Sequence, residues 1–275
     1  MNKVGVIGWP VEQSLSPAMH NAAFAALGMA DWYYDRIAVP PDIVRLSLRE
    51  LRDHGYIGLN VTVPHKQAVM PFVKADAIAR VVGAVNTIDF RTNEGTNSDV
   101  AGFMDDLAAH DIDVYGQRAL VLGAGGAARA AVFGLVQAGA EVLVVNRTLE
   151  RAQNLALDLG GGVRALLFEQ VVDEPVALIV NCTSVGMWPR IHESPWPHEL
   201  PLPKGAIVYD MIYRPAKTQL MRQAEAAGLR AIGGLGMLAR QGAVAFERWT
   251  GVRAPLDVMI DALRTELNKL NGDGS

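Results

Sequence analysis

A glycine-rich turn between a strand-like run and a helix-like run is the clearest chemical signal in the sequence. The stretch RALVLGAGGAARAA contains Gly123, Gly125 and Gly126, and Ala128 takes the third small position of a G-x-G-x-x-A pattern. In such a turn one glycine permits the bend, the next lets the backbone approach a pyrophosphate, and the small third residue lets helix and strand pack closely. The pattern predicts a dinucleotide-binding turn, with phosphates at the helix N-terminus. A glycine turn without a ligand is the alternative, and the strand-like run that follows the helix argues against it.

The residues after that next strand indicate which dinucleotide is bound. NAD sites place an acidic residue there for the ribose 2′-hydroxyl, whereas this chain has Asn146, Arg147 and Thr148, followed by Arg151. A carboxylate would repel a 2′-phosphate, and a guanidinium can bind it through two parallel hydrogen bonds. NADP is therefore the predicted cofactor. The alternative is that both arginines are ordinary solvated charges at the start of a helix.

Polar side chains next to turns in the first hundred residues are candidates for the chemistry. Hydride transfer to or from an alcohol requires a group that takes or gives the hydroxyl proton, and Lys66 and Asp99 have suitable side chains in turn-rich segments. Asn60 and Thr62 lie two residues apart in a strand-like run, so they would share one face and line a pocket. The simpler roles are a solvated charge for Lys66 and a helix cap for Asp99. The other polar candidates are Ser14, Ser16 and Asn86.

Short apolar runs alternate with longer amphipathic stretches around these residues, which predicts a mostly parallel sheet covered by helices. The predicted strands are 4–7, 33–39, 58–63, 118–122, 141–145, 177–181 and 207–210. The predicted helices are 17–28 (capped by Ser16), 41–54, 103–110, 127–138 and 149–159, with two more between 238 and 270 that are separated at Gly251 and Pro255. A loop at 187–203 and a disordered tail at 271–275 complete the prediction.

Composition excludes several classes of protein. The chain has 275 residues, is 50% hydrophobic and carries a net charge of -4, which argues against a protein that neutralises nucleic-acid or membrane phosphates. Cys182 is the only cysteine, so an internal disulfide and a Cys-rich metal site are excluded. The histidines show no i, i+4 metal pattern, and we expect no metal. Without a signal-like segment or an apolar run of about 20 residues, we expect a cytoplasmic protein.

The motifs taken together resemble those of one enzyme family. SLSPAMHN, NVTVPHK, GAVNT, GAGGAAR, NRT, NCTSVGM, YDMIY and GLGMLARQ occur in the order seen in shikimate dehydrogenases, from Val4 to about Gly251. The resemblance implies NADPH-dependent reduction of 3-dehydroshikimate to shikimate, and the reverse, in chorismate and aromatic amino acid biosynthesis. It also implies an α/β fold with an open, mostly parallel substrate-binding domain (1–101), a Rossmann-type NADP-binding domain (102–237), and C-terminal helices (238–275) that return to the first domain.

The resemblance also implies roles for individual residues. Lys66 and Asp99 match the catalytic pair. The positions that match the substrate-binding set are Ser14, Ser16, Asn60, Thr62, Asn86, Tyr213 and Gln241. The positions that match the cofactor-binding set are Gly123, Ala124, Gly125, Gly126, Ala127, Asn146, Arg147, Thr148, Arg151, Thr183, Met211 and Gly234.

One segment departs from the family pattern, and two other functions stay open. The family has N-T-D-G where this chain has Asn97, Ser98, Asp99 and Val100, so valine removes backbone freedom after the catalytic carboxylate. The alternatives are a quinate/shikimate dehydrogenase, for which NAD is a further cofactor option, and a catalytically inactive metabolite-binding relative.

Overall fold

The computed structural model describes residues 1–171 and 174–272. The first part of the chain contains β1 (Asn2–Gly8), α1 (Ser16–Ala26), β2 (Trp32–Ala38), α2 (Val44–Asp53), β3 (Tyr56–Val61), β4 (Lys74–Ala75), α3 (Ala77–Val82), β5 (Thr87–Asp89), β6 (Glu94–Thr96) and α4 (Ser98–Ala109). The rest contains β7 (Arg118–Leu122), α5 (Gly126–Gln137), β8 (Glu141–Val145), α6 (Leu149–Leu159), β9 (Arg164–Leu166), β10 (Leu178–Asn181), β11 (Ile207–Asp210), α7 (Gln219–Ala226), β12 (Ala231–Gly233), α8 (Leu235–Thr250) and α9 (Leu256–Gly272). Short 3₁₀ turns lie at Pro41–Ile43, Met70–Phe72 and Phe168–Gln170.

The chain divides into two compact units. The first consists of Met1–Gly102 and the chain from Leu238 onward, and the second of Phe103–Met237. Both divisions fall inside helices, α4 and α8. None of the helices in the described residues is long and apolar enough to cross a membrane.

The first unit is built on a mixed sheet with strand order β2-β1-β3-β5-β6-β4. Strand β5 runs antiparallel to both of its neighbours, and the other pairs are parallel. Helix α9 packs against α1. The indole of Trp249 in α8 donates to the carbonyl of Ile88 at 3.0 Å, so the C-terminal helices are part of this unit.

The second unit is a parallel sheet with strand order β12-β11-β10-β7-β8-β9. Alternate residues of its strands belong to two separate cores: Val121 and Val144 pack on one face, and Leu120 and Leu143 on the other. Burial of both faces explains why the strands are continuous apolar runs without polar alternation. The order of the strands reverses between β7 and β10, which is where doubly wound sheets bind their ligands.

The fold confirms the predicted α/β architecture and corrects several details. The strands predicted at 118–122, 141–145 and 207–210 have the predicted bounds, whereas five strands of two or three residues, β4, β5, β6, β9 and β12, were not predicted. Helices α3 and α7 were not predicted either, and α4 begins five residues earlier than expected.

Two predictions about chain ends and caps were also wrong. Ser16 does not cap α1, because it is the first residue of the helix and the cap position is Leu15, which makes no side-chain hydrogen bond. Residues 271 and 272 belong to α9 and not to a disordered tail, and the rest of that predicted tail, 273–275, lies outside the described residues.

Candidate active site

The two predicted catalytic residues of the first unit, Lys66 and Asp99, form an ion pair. Lys66 follows β3, and Asp99 is the second residue of α4. The Lys66 Nζ lies 2.5 Å from Asp99 Oδ2, and the side chains are 15% and 6% exposed. A largely buried ammonium held by a carboxylate can donate a proton and stabilise a developing negative charge.

Asn86 joins this pair to its surroundings. Its Nδ2 donates to the second oxygen of Asp99 at 2.8 Å, and also lies 3.4 Å from Gln241 Oε1. Its Oδ1 accepts from the backbone nitrogen of Ser98 at 2.7 Å. Because Asn86 is 2% exposed, these contacts fix the orientation of its amide and thereby the position of the Asp99 carboxylate.

Asn60 lies one hydrogen bond further along the same network. Its Nδ2 donates to the carbonyl of Asn86 at 3.2 Å and to Thr87 Oγ1 at 3.1 Å. Its Oδ1 accepts from the hydroxyl of Tyr34 at 2.8 Å. Sequence reasoning did not find Tyr34, because a tyrosine in a strand is most often a core residue and its partner lies 26 positions away.

An aromatic cluster holds Tyr34 in place. The imidazole of His20 stacks on the Tyr34 ring with centroids 4.2 Å apart, and Trp249 packs against both rings. Complete burial lowers the pKa of His20 to about 3, so the imidazole is neutral. The cluster therefore supports Tyr34 by packing and adds no charge to the site.

Gln241 reaches the network because α8 approaches α4 closely. A Cβ at Gly102 in α4 would lie 2.7 Å from the Cβ and the backbone nitrogen of Gln241. Gln241 is 8% exposed, and its Nε2 donates to the carbonyl of Leu238 at 2.9 Å. A glycine at position 102 is thus required for the helix contact that brings Gln241 to Asn86.

The two serines form a separate pair. Ser14 Oγ donates to Ser16 Oγ at 3.2 Å, and both residues are buried. The guanidinium of Arg36 donates to the carbonyl of Ser14 at 2.8 Å. Thr62 lies just beyond β3 with its methyl group against Gly8. Among the described residues, no hydrogen bond connects Ser14, Ser16 or the Thr62 side chain to the Lys66–Asp99 network.

The structure accounts for the departure at Val100. This residue lies in the first turn of α4, and it is not among the described non-glycine residues with positive φ, which are Asn93 and Asp111. Valine therefore occupies an ordinary helical position, and the backbone at Asp99 does not need glycine after it.

In the second unit, the glycine turn connects β7 to α5. Gly123 has φ of +110°, which favours glycine, and Gly125 is the cap residue of α5 with no side-chain cap hydrogen bond. A Cβ at Gly125 would meet no atom within 4 Å. Open space in front of uncapped helical N–H groups fits a pyrophosphate. Ala124, Gly126 and Ala127 complete the turn.

The four polar residues after β8 surround the start of α6. Asn146 Nδ2 donates to the carbonyl of Thr148 at 2.9 Å, and Thr148 is the cap residue of the helix. Arg147 and Arg151 are exposed, and neither makes an ion pair within residues 1–171 and 174–272. Two guanidinium groups with no acidic partner at this position fit a 2′-phosphate.

The remaining predicted cofactor residues follow β10, β11 and β12. A Cβ at Gly123 would lie 3.2 Å from Thr183 Cγ2, so Thr183 borders the glycine turn. Gly234 packs directly on the backbone of Met211. Tyr213 is half buried in the segment after β11. Among the described residues, no group of three or more His, Cys, Asp or Glu side chains could hold a metal ion.

Comparisons with known proteins agree with this geometry. Three family models match, described as "Shikimate dehydrogenase substrate binding domain" at residues 6–88, "Shikimate / quinate 5-dehydrogenase" at 106–185 and "Shikimate 5'-dehydrogenase C-terminal domain" at 234–264. A shikimate dehydrogenase (NADP(+)) of Methanocella arvoryzae is 42% identical over 97% of this chain and 100% of that protein. The chain belongs to the shikimate dehydrogenase family.

Solved structures extend the family comparison to three dimensions. The shikimate 5-dehydrogenase of Thermus thermophilus, in complex with NADP(H) and shikimate, matches with a TM-score of 0.87 and 40% identity over 96% of this chain and 99% of that one. A ligand-free 5-ketofructose reductase from a Gluconobacter species matches with a TM-score of 0.82 and 28% identity over 96% and 98% of the two chains. This shikimate dehydrogenase fold thus also occurs in a reductase with a different name.

Proposed function

We propose that this protein is an NADP-dependent shikimate dehydrogenase that interconverts 3-dehydroshikimate and shikimate. The observation that carries the proposal is the Lys66–Asp99 ion pair at 2.5 Å, oriented by Asn86, in a chain of this family. The reaction places the protein in chorismate and aromatic amino acid biosynthesis, and we propose a cytoplasmic location for it.

The catalytic role of Lys66 follows from its charge and burial. A ketone that is reduced becomes an alkoxide, which must be protonated as it forms. The Nζ of Lys66 holds such a proton, and its positive charge stabilises the developing negative charge on that oxygen. Asp99 holds the ammonium through Oδ2 and is itself held by Asn86 through Oδ1, so the pair is positioned before substrate binds.

The other polar residues of the first unit are assigned to substrate binding. Ser14 and Ser16 offer hydroxyl donors to a carboxylate, and Asn60, Thr62, Asn86 and Gln241 offer donors and acceptors to ring hydroxyls. A site built to hydrogen-bond hydroxyls rejects analogues that lack them, because buried polar groups are then left unpaired. Tyr213 is assigned to the substrate on family resemblance alone.

The second unit is assigned to the cofactor. NADP supplies the hydride donor or acceptor when bound. The turn from Gly123 to Ala127 would hold the pyrophosphate, Asn146, Arg147, Thr148 and Arg151 the adenosine phosphate, and Thr183, Met211 and Gly234 the nicotinamide. The α5 N-terminus without a side-chain cap hydrogen bond and the two arginines without an acidic partner in residues 1–171 and 174–272 support this assignment.

A steady-state assay tests the proposal. We expect the purified protein to reduce NADP with shikimate, with NADP preferred over NAD by on the order of 100-fold in kcat/KM, about 2.7 kcal/mol. Higher efficiency with quinate would assign the protein to the quinate/shikimate dehydrogenases. Binding of NADP and shikimate without turnover would identify an inactive relative.

A further inference from the structure

A buried carboxylate without a cationic partner lies at the end of β11, outside the ion pair described above. Asp210 is 0% exposed, and its hydrogen-bond donors are all neutral. Its Oδ1 accepts from Asn181 Nδ2 at 2.9 Å and from the backbone nitrogen of Ile212 at 3.1 Å, and its Oδ2 accepts from Thr218 Oγ1 at 2.6 Å. Among the described residues, no Lys, Arg or His pairs with it.

The position of Asp210 explains which loops it connects. Asp210 and Asn181 are register partners at the ends of the adjacent parallel strands β11 and β10. Thr218 caps α7, and Ile212 is the second residue of the loop after β11. One side chain therefore connects the end of β10, the loop after β11 and the start of α7.

Asn181 carries the connection to Thr183. While its Nδ2 donates to Asp210, its Oδ1 accepts from both the backbone nitrogen and the hydroxyl of Thr183, at 2.9 and 2.7 Å. The Thr183 hydroxyl in turn accepts from the backbone nitrogen of Val185 at 3.1 Å. These hydrogen bonds fix the orientation of the Asn181 amide and of the Thr183 hydroxyl.

The residue held by these hydrogen bonds, Thr183, packs against the glycine turn. Thr183 Cγ2 lies where it would contact a Cβ at Gly123, and the backbone nitrogen of Met211 donates to the carbonyl of Asn181 at 3.0 Å. The side chains of Asn181 and Asp210 thus fix Thr183 and the backbone next to Met211, beside the first glycine of the turn and at the point where the strand order of the sheet reverses.

We propose that Asp210 and Asn181 are positioning residues for the cofactor pocket, which hold Thr183 and Met211 in the geometry that accepts the nicotinamide end of NADP. The proposal rests on the cofactor assignment of the proposed function. It goes beyond that assignment because neither side chain belongs to the residues assigned to cofactor or substrate.

The energetic cost of Asp210 supports a role other than stability. Burial raises the pKa of Asp210 to about 6, even though its hydrogen bonds act in the opposite direction. A carboxylate buried without a cation destabilises the folded protein near neutral pH. Perturbed carboxyl groups of this kind cluster at functional sites.

Two substitutions of Asp210 separate geometry from charge. Asp210→Ala removes all three acceptor contacts, and we expect it to raise the dissociation constant of NADPH at least tenfold while the KM for shikimate changes less than threefold. Asp210→Asn retains Oδ1 for Asn181 and Ile212, and its amide can donate to Thr218. We expect it to bind NADPH within about threefold of the unmodified protein.

Direct titration of NADPH fluorescence is the measurement, because it does not depend on turnover. Asp89→Ala is the control: Asp89 is a buried carboxylate at the end of β5 in the first unit, where it pairs with Arg91, and its loss should leave NADPH binding unchanged. If Asp210→Ala does not fold, Asn181→Ala cuts the connection to Thr183 and leaves the other two contacts of Asp210 in place. We expect the same loss of NADPH affinity.

The outcomes are distinct from those that test the proposed function. Unchanged NADPH affinity in a folded Asp210→Ala or Asn181→Ala protein overturns the positioning role, even if the unmodified protein is an active dehydrogenase. An equal loss of affinity in Asp89→Ala also overturns it, since the effect would then reflect general destabilisation. Failure of the unmodified protein to bind NADPH overturns the cofactor assignment itself.

Discussion

Asp99 and Asp210 are both buried carboxylates near strand ends, but their partners differ. Asp99, in the first unit, contacts the ammonium of Lys66 and the amide of Asn86. Asp210, in the second, has as its donors among the described residues an amide, a hydroxyl and a backbone N–H. The first arrangement places the protons of an ammonium beside a carboxylate, and the second contains no cation among the described residues.

The difference shows what burial of a carboxylate can be used for. A neighbouring cation offsets much of the free-energy cost of removing a carboxylate from water. Removing one partner of such a pair leaves an uncompensated buried charge. Neutral donors offset less of this cost. The pKa of a buried carboxyl without a cation is therefore raised, and its protonated form is favoured. We therefore interpret Asp99 as part of the chemistry and Asp210 as a device that fixes the surrounding loops.

Substitution of Lys66 by Met should have the largest effect. It retains the side-chain stem and removes the proton and the charge, so we expect kcat to fall roughly 10²–10⁴-fold, the range for a lost acid–base group, with a smaller change in KM. Lys74→Met, at an exposed position of β4, is the control and should leave kcat unchanged. A Lys66→Met protein with nearly normal kcat would contradict the assignment of the Lys66–Asp99 pair to the chemistry, and with it the contrast between Asp99 and Asp210.

The pH dependence of stability tests the other side of the comparison. The pKa of Asp210 is raised to about 6 in the folded protein, so folding takes up a proton between its unfolded and folded pKa values. The destabilising effect of Asp210 is then absent well below pH 4, grows as the pH rises between the two pKa values, and is complete above about pH 7. At about 1.36 kcal/mol per pKa unit, the upper limit of the effect is about 3 kcal/mol.

Denaturant unfolding of the unmodified protein and of Asp210→Asn between pH 4 and 7 is the measurement. We expect the difference between the two free energies of unfolding to move in favour of the variant as the pH rises, with most of the change between pH 4 and 6. A difference that stays constant over this range would show that Asp210 does not titrate there.

Arg147 extends the contrast between paired and unpaired charges to the cofactor. Lys66 has an acidic partner, whereas Arg147 has none among the described residues. We expect Arg147→Ala to remove most of the roughly 100-fold preference for NADP over NAD, about 2.7 kcal/mol, with kcat/KM for NAD nearly unchanged. Arg164→Ala is the control, because Arg164 is paired with Glu141 and Glu174 in the same unit. A parallel loss with both cofactors would exclude a 2′-phosphate role.

Tyr34→Phe should have the smallest effect. It removes the hydroxyl that donates to Asn60 Oδ1 at 2.8 Å and preserves the stacking on His20. An unsatisfied buried acceptor costs about 1–3 kcal/mol, so we expect lower stability and a KM for shikimate that rises a few-fold, while NADP binding does not change. Thermal unfolding and steady-state kinetics measure both. A changed cofactor affinity without a changed KM for shikimate would contradict this placement of Tyr34.

The sequence was most informative where periodicity and motif coincide. The strands at 118–122 and 141–145 lie on either side of the glycine turn and its helix, and all their residues after the first are apolar, so their bounds could be predicted to the residue. Strands β5 and β6 have three residues each, which is too short for an alternating pattern to appear. They nevertheless bring Asn86 next to Asp99, so the local sequence did not reveal the geometry of the site.

Contacts between side chains of distant segments could not be predicted from the sequence either. Asn181 and Asp210 each lie in a motif that was recognised, but their contact follows from the register of β10 and β11. The same applies to Tyr34 and Asn60, which meet because β2 and β3 both pair with β1. Residue types identified the candidate chemistry, and strand order determined which residues touch.

The division of the chain has a consequence for the order in which the protein is made. The second unit is one continuous segment, Phe103–Met237, whereas the first is completed only by the chain from Leu238 onward. During synthesis from the N-terminus, the second unit can finish its core while α1 still lacks α9, its partner in the finished protein. The half of the protein that emerges first from the ribosome is therefore the half that becomes complete last.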